Sequence, residues 1–172
     1  MAYILIDGYN LLGIAHHNLE MARNNLIQQL CRYADLKGHH ITVVFDGYKS
    51  GQMDETERRL GNVNVIFSRL GEKADLVIKR ILSQSSRHWI AVSSDREIKD
   101  FAWKNGFICL TTMEFENRLR RALKQEKAED SVELIDTKYL EDDIDIIPPR
   151  QKGNPKMPSK RQRQKLRALN KL

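Results

Sequence analysis

Cysteine is scarce in this 172-residue chain, with only Cys31 and Cys109. Their spacing fits no zinc motif and no secretory context favours a disulfide, so both read as small buried hydrophobes on apolar faces. The pairs His16–His17 and His39–His40 have no HxxxH or Cys–His companion and read as loop or surface residues. A long hydrophobic run is missing too. The opening MAYILIDGYN holds a short apolar stretch that Asp7 interrupts, neither a signal peptide nor a membrane span, so the expected location is cytoplasmic. There is no GxGxxG, no Walker loop and no Ser–His or Cys–His arrangement. Small-molecule cofactors, P-loop chemistry and covalent nucleophiles therefore have no support.

Acid is absent from one end. Residues 150–172 carry nine bases (Arg150, Lys152, Lys156, Lys160, Arg161, Arg163, Lys165, Arg167 and Lys171) and no Asp or Glu. The formal charge of +6 thus conceals a division, because residues 1–149 hold 20 bases against all 23 acids. Such a block marks an arm for a polyanion rather than part of a fold. It also lacks aromatics, so base stacking is not expected there.

What is present is an alternation of strands and helices. Apolar runs at 3–6, 41–45, 63–67, 89–92 and 107–110 read as strands. Between them lie helical patterns at about 19–36, 73–86, 95–105 and 111–125, with Gly38 suited to the left-handed position that ends the first. Ser94-Asp95-Arg96-Glu97 and Thr111 with Glu114 read as capping boxes. The polar stretch 46–59 reads as a loop, with a helical turn around 54–59. Right-handed βαβ units then give an α/β fold, a three-layer sandwich with a central, mostly parallel sheet over residues 1–125. Residues 126–147 are acidic with interspersed apolar side chains and would pack on the domain or lead away from it. Pro148-Pro149 breaks any helix, and 148–172 is expected to be a disordered basic tail, with Ser159 able to cap a helix formed on RNA.

Four aspartates carry the chemistry: Asp7 after YILI, Asp46 after ITVVF, Asp75 opening a helix, and Asp95 just past WIAV. Ligand chemistry in an open parallel sheet collects beyond the carboxyl ends of its strands. Carboxylates gathered there repel unless a cation holds them, and hard oxygen donors suit one or two Mg²⁺ or Mn²⁺ ions. Each residue also has a plainer role. Asp7-Gly8 and Asp46-Gly47 are turn signals, while Asp75, Asp95 and Ser94 suit a first helical turn. Four at equivalent topological places favour the metal, with Asp46 in support. Asn10, one turn from Asp7, is placed to position a phosphate or a water. Ser94 suits either a site hydroxyl or a cap, and Arg69 and Lys73 either phosphate pairing or solvent.

The set DGYN at 7–10, FDG at 45–47, GEKAD at 71–75 and SSDREI at 93–98 resembles the NYN domains of the PIN-like nuclease superfamily, in its bacterial YacP-type branch. The resemblance covers about residues 1–125. It implies a PIN-like (Rossmannoid) sandwich and metal-dependent RNA cleavage, with Asp7, Asp75 and Asp95 as catalytic metal ligands and Asn10 and Asp46 supporting. That branch includes ribosome-associated endoribonucleases, so the implied partners are RNA, the ribosome and mRNA. The family often has threonine where this chain has Lys73, which alters how the site meets phosphate. The expected function is an Mg- or Mn-dependent endoribonuclease that makes no contact with membrane. The alternative is a catalytically inactive RNA- or ribosome-binding module of the same fold. A flap-type DNA nuclease is disfavoured because the chain lacks room for the extra arch.

Overall fold

All five apolar runs pair, in one six-stranded sheet of order β3-β4-β2-β1-β5-β6. In this computed structural model residues 1–13, 18–47, 53–131 and 159–172 are described, the side chains of 127–131 excepted. His16–His17, Arg150, Lys152, Lys156, Pro148-Pro149 and the acidic stretch from 132 onward lie outside the described residues. The strands are β1 (Tyr3–Asp7), β2 (His40–Phe45), β3 (Thr56–Leu60), β4 (Val63–Phe67), β5 (Trp89–Val92) and β6 (Ile108–Leu110). The helices are α1 (Gly8–Leu12), α2 (Leu19–Lys37), α3 (Ala74–Gln84), α4 (Arg96–Lys104), α5 (Thr112–Ser131) and α6 (Lys160–Leu169). β1 lies parallel between β2 and β5, with Ile6 opposite Val43 on one side and Val92 on the other.

Alternate residues of these strands feed two cores. Ile4, Ile6, Val43, Phe45, Val65 and Val92 pack against Leu26, Leu30, Tyr33 and Phe115 of α2 and α5. Leu5, Val44, Ile66 and Ala91 meet Val77, Ile78 and Leu82 of α3 and Ile98 and Ala102 of α4. That is the expected three-layer sandwich, and it explains strands that are apolar on both faces. Gly38 ends α2 at φ 62°, as the left-handed position requires.

Several expectations need correction. The expected turn Asp7-Gly8-Tyr9-Asn10 is instead the N-cap and first turn of α1, with Asp7 as the cap. The loop expected over 46–59 instead ends in β3, antiparallel to β4 across a tight Gly61-Asn62 connection. TERRL has no apolar alternation because an edge strand on this sheet buries little, and its charges guard the edge. The Gly-Asn pair was the available hairpin signal. His39 is not a surface residue: it is 3% exposed, with its ring edge-on to Tyr33 at 5.8 Å. Burial lowers its pKa below the usual histidine value.

The basic tail differs most from expectation. Residues 159–172 are not disordered but fold onto the domain. Ser159 and Gln162 form a reciprocal capping box, and Ala168 and Leu172 are buried in the first core. The Tyr33 hydroxyl donates to the Leu172 carbonyl at 2.9 Å. Lys165 reaches Glu114 at 2.8 Å, and the Arg161 guanidinium lies 5.5 Å from the centre of the Trp103 ring. Lys165 therefore spends its charge inside the protein. Charge dominates this segment's composition, but the helical stripe formed by Ala168, Leu169 and Leu172 docks it on the first core.

Removal of residues 159–172 is expected to cost at least about 2 kcal/mol of unfolding free energy, from lost apolar burial and the lost Tyr33 bond. Urea unfolding of the two chains measures it. An unchanged midpoint would mean that α6 does not stabilise the domain.

Candidate functional site

The strand order reverses at β1: β2 and β4 lie to one side, and the chain then crosses back to β5 and β6 on the other. That switch opens a crevice beyond the carboxyl ends of β1 and β5. Asp7 is the last residue of β1 and is 7% exposed. Its Oδ1 accepts from the Asn10 backbone N–H at 3.0 Å and its Oδ2 from the Ser93 hydroxyl at 3.4 Å. Burial pushes its pKa up to about 6, and the charges of Asp75 and Asp46 push the same way, against the lowering effect of the two hydrogen bonds.

Asp46 follows β2 directly. Its Oδ1 accepts from the Ala74 backbone N–H at 2.6 Å, so it caps α3 from across the fold. Lys73, the residue at the helix N-cap position, makes no side-chain cap bond of its own. Asp46 thus fixes the helix that carries Asp75. Partial burial raises the Asp75 pKa, with the charges of Asp95 and Asp46 adding to it and Lys79 and Lys73 opposing. Asp95 is the N-cap of α4, its Oδ1 accepting from Glu97 N at 2.6 Å and Ile98 N at 3.3 Å. Asp7 thus feels the charges of Asp75 and Asp46, and Asp75 those of Asp95 and Asp46, so the structure brings the four aspartates to one rim. Among the described residues, however, no group of three or more His, Cys, Asp or Glu side chains is close enough to hold an ion together.

The supporting residues are partly reassigned. Asn10 Oδ1 accepts from the Ser94 backbone N–H at 2.8 Å, so Asn10 ties the start of α1 to the loop after β5. Its carbonyl oxygen is committed to that tie. Ser94 is not the cap of α4; its hydroxyl lies 2.8 Å from that of Thr112. Ser93, which sequence reasoning passed over, is 1% exposed and is the true link, donating to Asp7 and accepting from Asp95 N at 3.1 Å. The run SSD contained it, but nothing in a single sequence told which serine faced Asp7. Lys79 was also missed, although it stands four residues after Asp75 on α3; it pairs with Glu97 at 3.0 Å. Arg69 is exposed and pairs with Glu72 at 3.4 Å, while Lys73 is exposed beside Asp75.

Gly8 and Gly47 were read as turn residues, but space decides both. A Cβ on Gly47 would lie 1.6 Å from the Ser68 carbonyl oxygen, and one on Gly8 would lie 2.3 Å from the Phe45 ring. Ser68 completes the lock, its hydroxyl accepting from Gly47 N at 2.9 Å and donating to the Glu72 carbonyl at 2.5 Å.

Comparison with known proteins gives concordant matches. The profile of a family described as YacP-like NYN domain matches residues 4–148. A curated protein of Bacillus subtilis (strain 168), named "Uncharacterized protein YacP", is 33% identical over 90 residues, which is 47% of this chain and 51% of that protein. The chain therefore spans about half the length of the curated relative it matches. The crystal structure of Rae1 (YacP) from Bacillus subtilis superposes with a TM-score of 0.60 at 22% identity, covering 76% of this chain and 80% of the other. A mutant of that protein gives 0.61 at 22% identity, over 77% and 86%. These structures share the PIN-like fold.

Two outcomes follow from this geometry. Gly47→Ala should destabilise the protein by at least about 2 kcal/mol, since the obstructing atom is backbone; a melting temperature equal to wild type would contradict the packing. Asp7 binds its proton more tightly folded than unfolded, so its contribution to stability is full below about pH 4 and is lost as pH rises through about 6. In metal-free buffer Asp7→Asn should therefore match wild type near pH 4 and exceed it by roughly 3 kcal/mol above pH 7. A stability difference that does not change with pH would refute the raised pKa.

Proposed function

The chain belongs to the YacP-like NYN domain family, and on that premise we propose that it is a divalent-metal-dependent endoribonuclease acting on mRNA at the ribosome. The family is nuclease-like and RNA-related. The observation that carries the finer reading is the rim of Asp7, Asp75, Asp95 and Asp46 at the topological switch, where burial, and then the charges of Asp75 and Asp46, make ionisation of Asp7 costly.

The donor set suits a hard cation. Mg²⁺ binds through one or two carboxylates and keeps several waters, so carboxylates spaced too widely for a closed protein cage still fit it. Asp7 and Asp75 would flank Mg²⁺ or Mn²⁺, with Asp95 offering Oδ2, the oxygen that its cap bonds leave over. Such an ion activates water and stabilises negative charge developing on a phosphodiester. The chain's own residues set that chemistry up. Ser93 and Asn10 aim Asp7, Asp46 holds α3, and Lys73 and Arg69 at the rim would pair with backbone phosphates. Lys160, Arg163 and Arg167 on the exposed side of α6 and Lys171 in the turn after it, with Arg161 beside Trp103, would add affinity independent of base sequence. Arg150, Lys152 and Lys156 would extend that contact in sequence.

The inactive-binder reading draws on the open spacing of the carboxylates. Cleavage assays on ribosome-bound and free RNA in Mg²⁺ or Mn²⁺ separate the two. Wild type should cut and lose activity in EDTA, and Asp7→Asn should fall by on the order of a hundredfold or more while remaining folded. Wild-type rates in Asp7→Asn would remove the site assignment, and binding without any cutting would establish the binder.

A further inference from the structure

The opposite end of the sheet carries a second feature of the reverse sign. Where β1, β5 and β6 begin, α6 and the sheet enclose a cavity of about 510 Å³. Its inner wall is apolar and aromatic, with Trp89, Phe107 and Ile108. Trp89 is 6% exposed and stands edge-on to Tyr3 at 5.7 Å. Its rim is cationic, with Arg87 on the strand side and Arg167 and Lys171 from α6 and the turn after it. No Asp or Glu lines the cavity among the described residues. None of the three cations is in an ion pair among the described residues. The Arg87 guanidinium lies 4.9 Å from the centre of the Tyr3 ring, which holds it at the rim.

A cavity of this size holds one small ligand. An apolar, aromatic interior behind three cations that form no ion pair among the described residues is complementary to a flat heterocycle bearing phosphate. We infer that this cavity binds a single nucleotide, its base inside against Trp89 and Phe107 and its phosphate at Arg87, Arg167 and Lys171. The nucleotide is either free in solution or part of an RNA strand, and the second source rests on the ribonuclease reading above. Tyr3 in the cavity wall and Asp7 lie four strand steps apart on β1, about 13 Å. A nucleotide held here is therefore too far away to be the one cut. It anchors the strand at the cationic end while the carboxylate rim meets the RNA elsewhere. Without α6 the cavity has no outer wall, which gives the docked tail a use beyond stability.

The test uses the full chain carrying Trp103→Phe, so that Trp89 is the only fluorophore of its kind, in buffer with EDTA to silence cleavage. Adenosine and uridine monophosphates, the unphosphorylated nucleosides, inorganic phosphate and a short oligoribonucleotide are titrated separately. A saturable change in Trp89 emission is expected with the monophosphates, at least tenfold weaker with nucleosides and absent with phosphate alone. Tighter binding of the oligoribonucleotide assigns the cavity to RNA; binding of monophosphates alone assigns it to a free nucleotide. The double variant Arg87→Ala/Arg167→Ala removes two exposed side chains and should weaken binding at least tenfold with no change in melting temperature. Should neither nucleotide form saturate, or should the double variant bind as tightly as its parent, the inference is overturned. RNA cleavage in Mn²⁺, measured alongside, keeps the two readings apart. Cutting without nucleotide binding fails the cavity alone, and nucleotide binding without cutting fails the nuclease alone.

Discussion

A carboxylate buried at the end of the central strand is the constraint to which the rest of the site answers. Asp7 has almost no contact with solvent, lies between the ends of β2 and β5, and feels the charges of Asp75 and Asp46. Desolvation and repulsion both oppose its ionised form, and the Asn10 N–H and the Ser93 hydroxyl answer them. The neighbouring residues follow from that need. Gly8 lets α1 start immediately beneath the Phe45 ring, which brings the Asn10 N–H back onto Asp7. Ser93 bonds both Asp7 and the backbone of Asp95, so the two carboxylates share one support. A cation at the rim would reverse the sign of the problem and make the ionised form the favoured one.

Charge is sorted along the strands. At their carboxyl ends, the N-termini of α3 and α4 accept carboxylates readily, because unpaired backbone N–H groups need acceptors there. Asp46 and Asp95 meet that need, one from a distant strand and one as an ordinary N-cap. At the amino ends, Arg87, Arg167 and Lys171 gather around an apolar cavity with no acid in its wall among the described residues. A polyanion would be repelled by the bare rim and attracted to the far end. On the proposed reading, affinity and chemistry would be carried by different parts of one small domain.

The strands were legible because burial on both faces demands unbroken apolar runs, and YILI, ITVVF and WIAV supply them. The α5 capping box was legible for a similar reason, and Thr111 and Glu114 form it reciprocally. β3 was not, because an edge strand buries too little to need apolar residues, and only the Gly-Asn pair marked it. His39 looked like a loop residue because its burial depends on Tyr33 and on the far C-terminus, 133 positions later in the chain. Ser93 rather than Ser94 faces Asp7, since alternation beyond a strand end is settled by the next helix's start and not by the strand.

The sequence by itself determined the α/β alternation, the four aspartates at the strand and helix ends, and the gathering of base into the last 23 residues. Each depends on composition or on periods of two and three to four residues, which a chain displays without folding. Only the tertiary structure decided that Asp46 caps a helix 28 residues away, that Ser93 joins Asp7 to Asp95, and that α6 folds back to close a cationic cavity. Those are contacts between residues distant in sequence. Their partners are chosen by strand order and by which surfaces remain open once the two cores are filled, and neither quantity is carried by any local stretch of the chain.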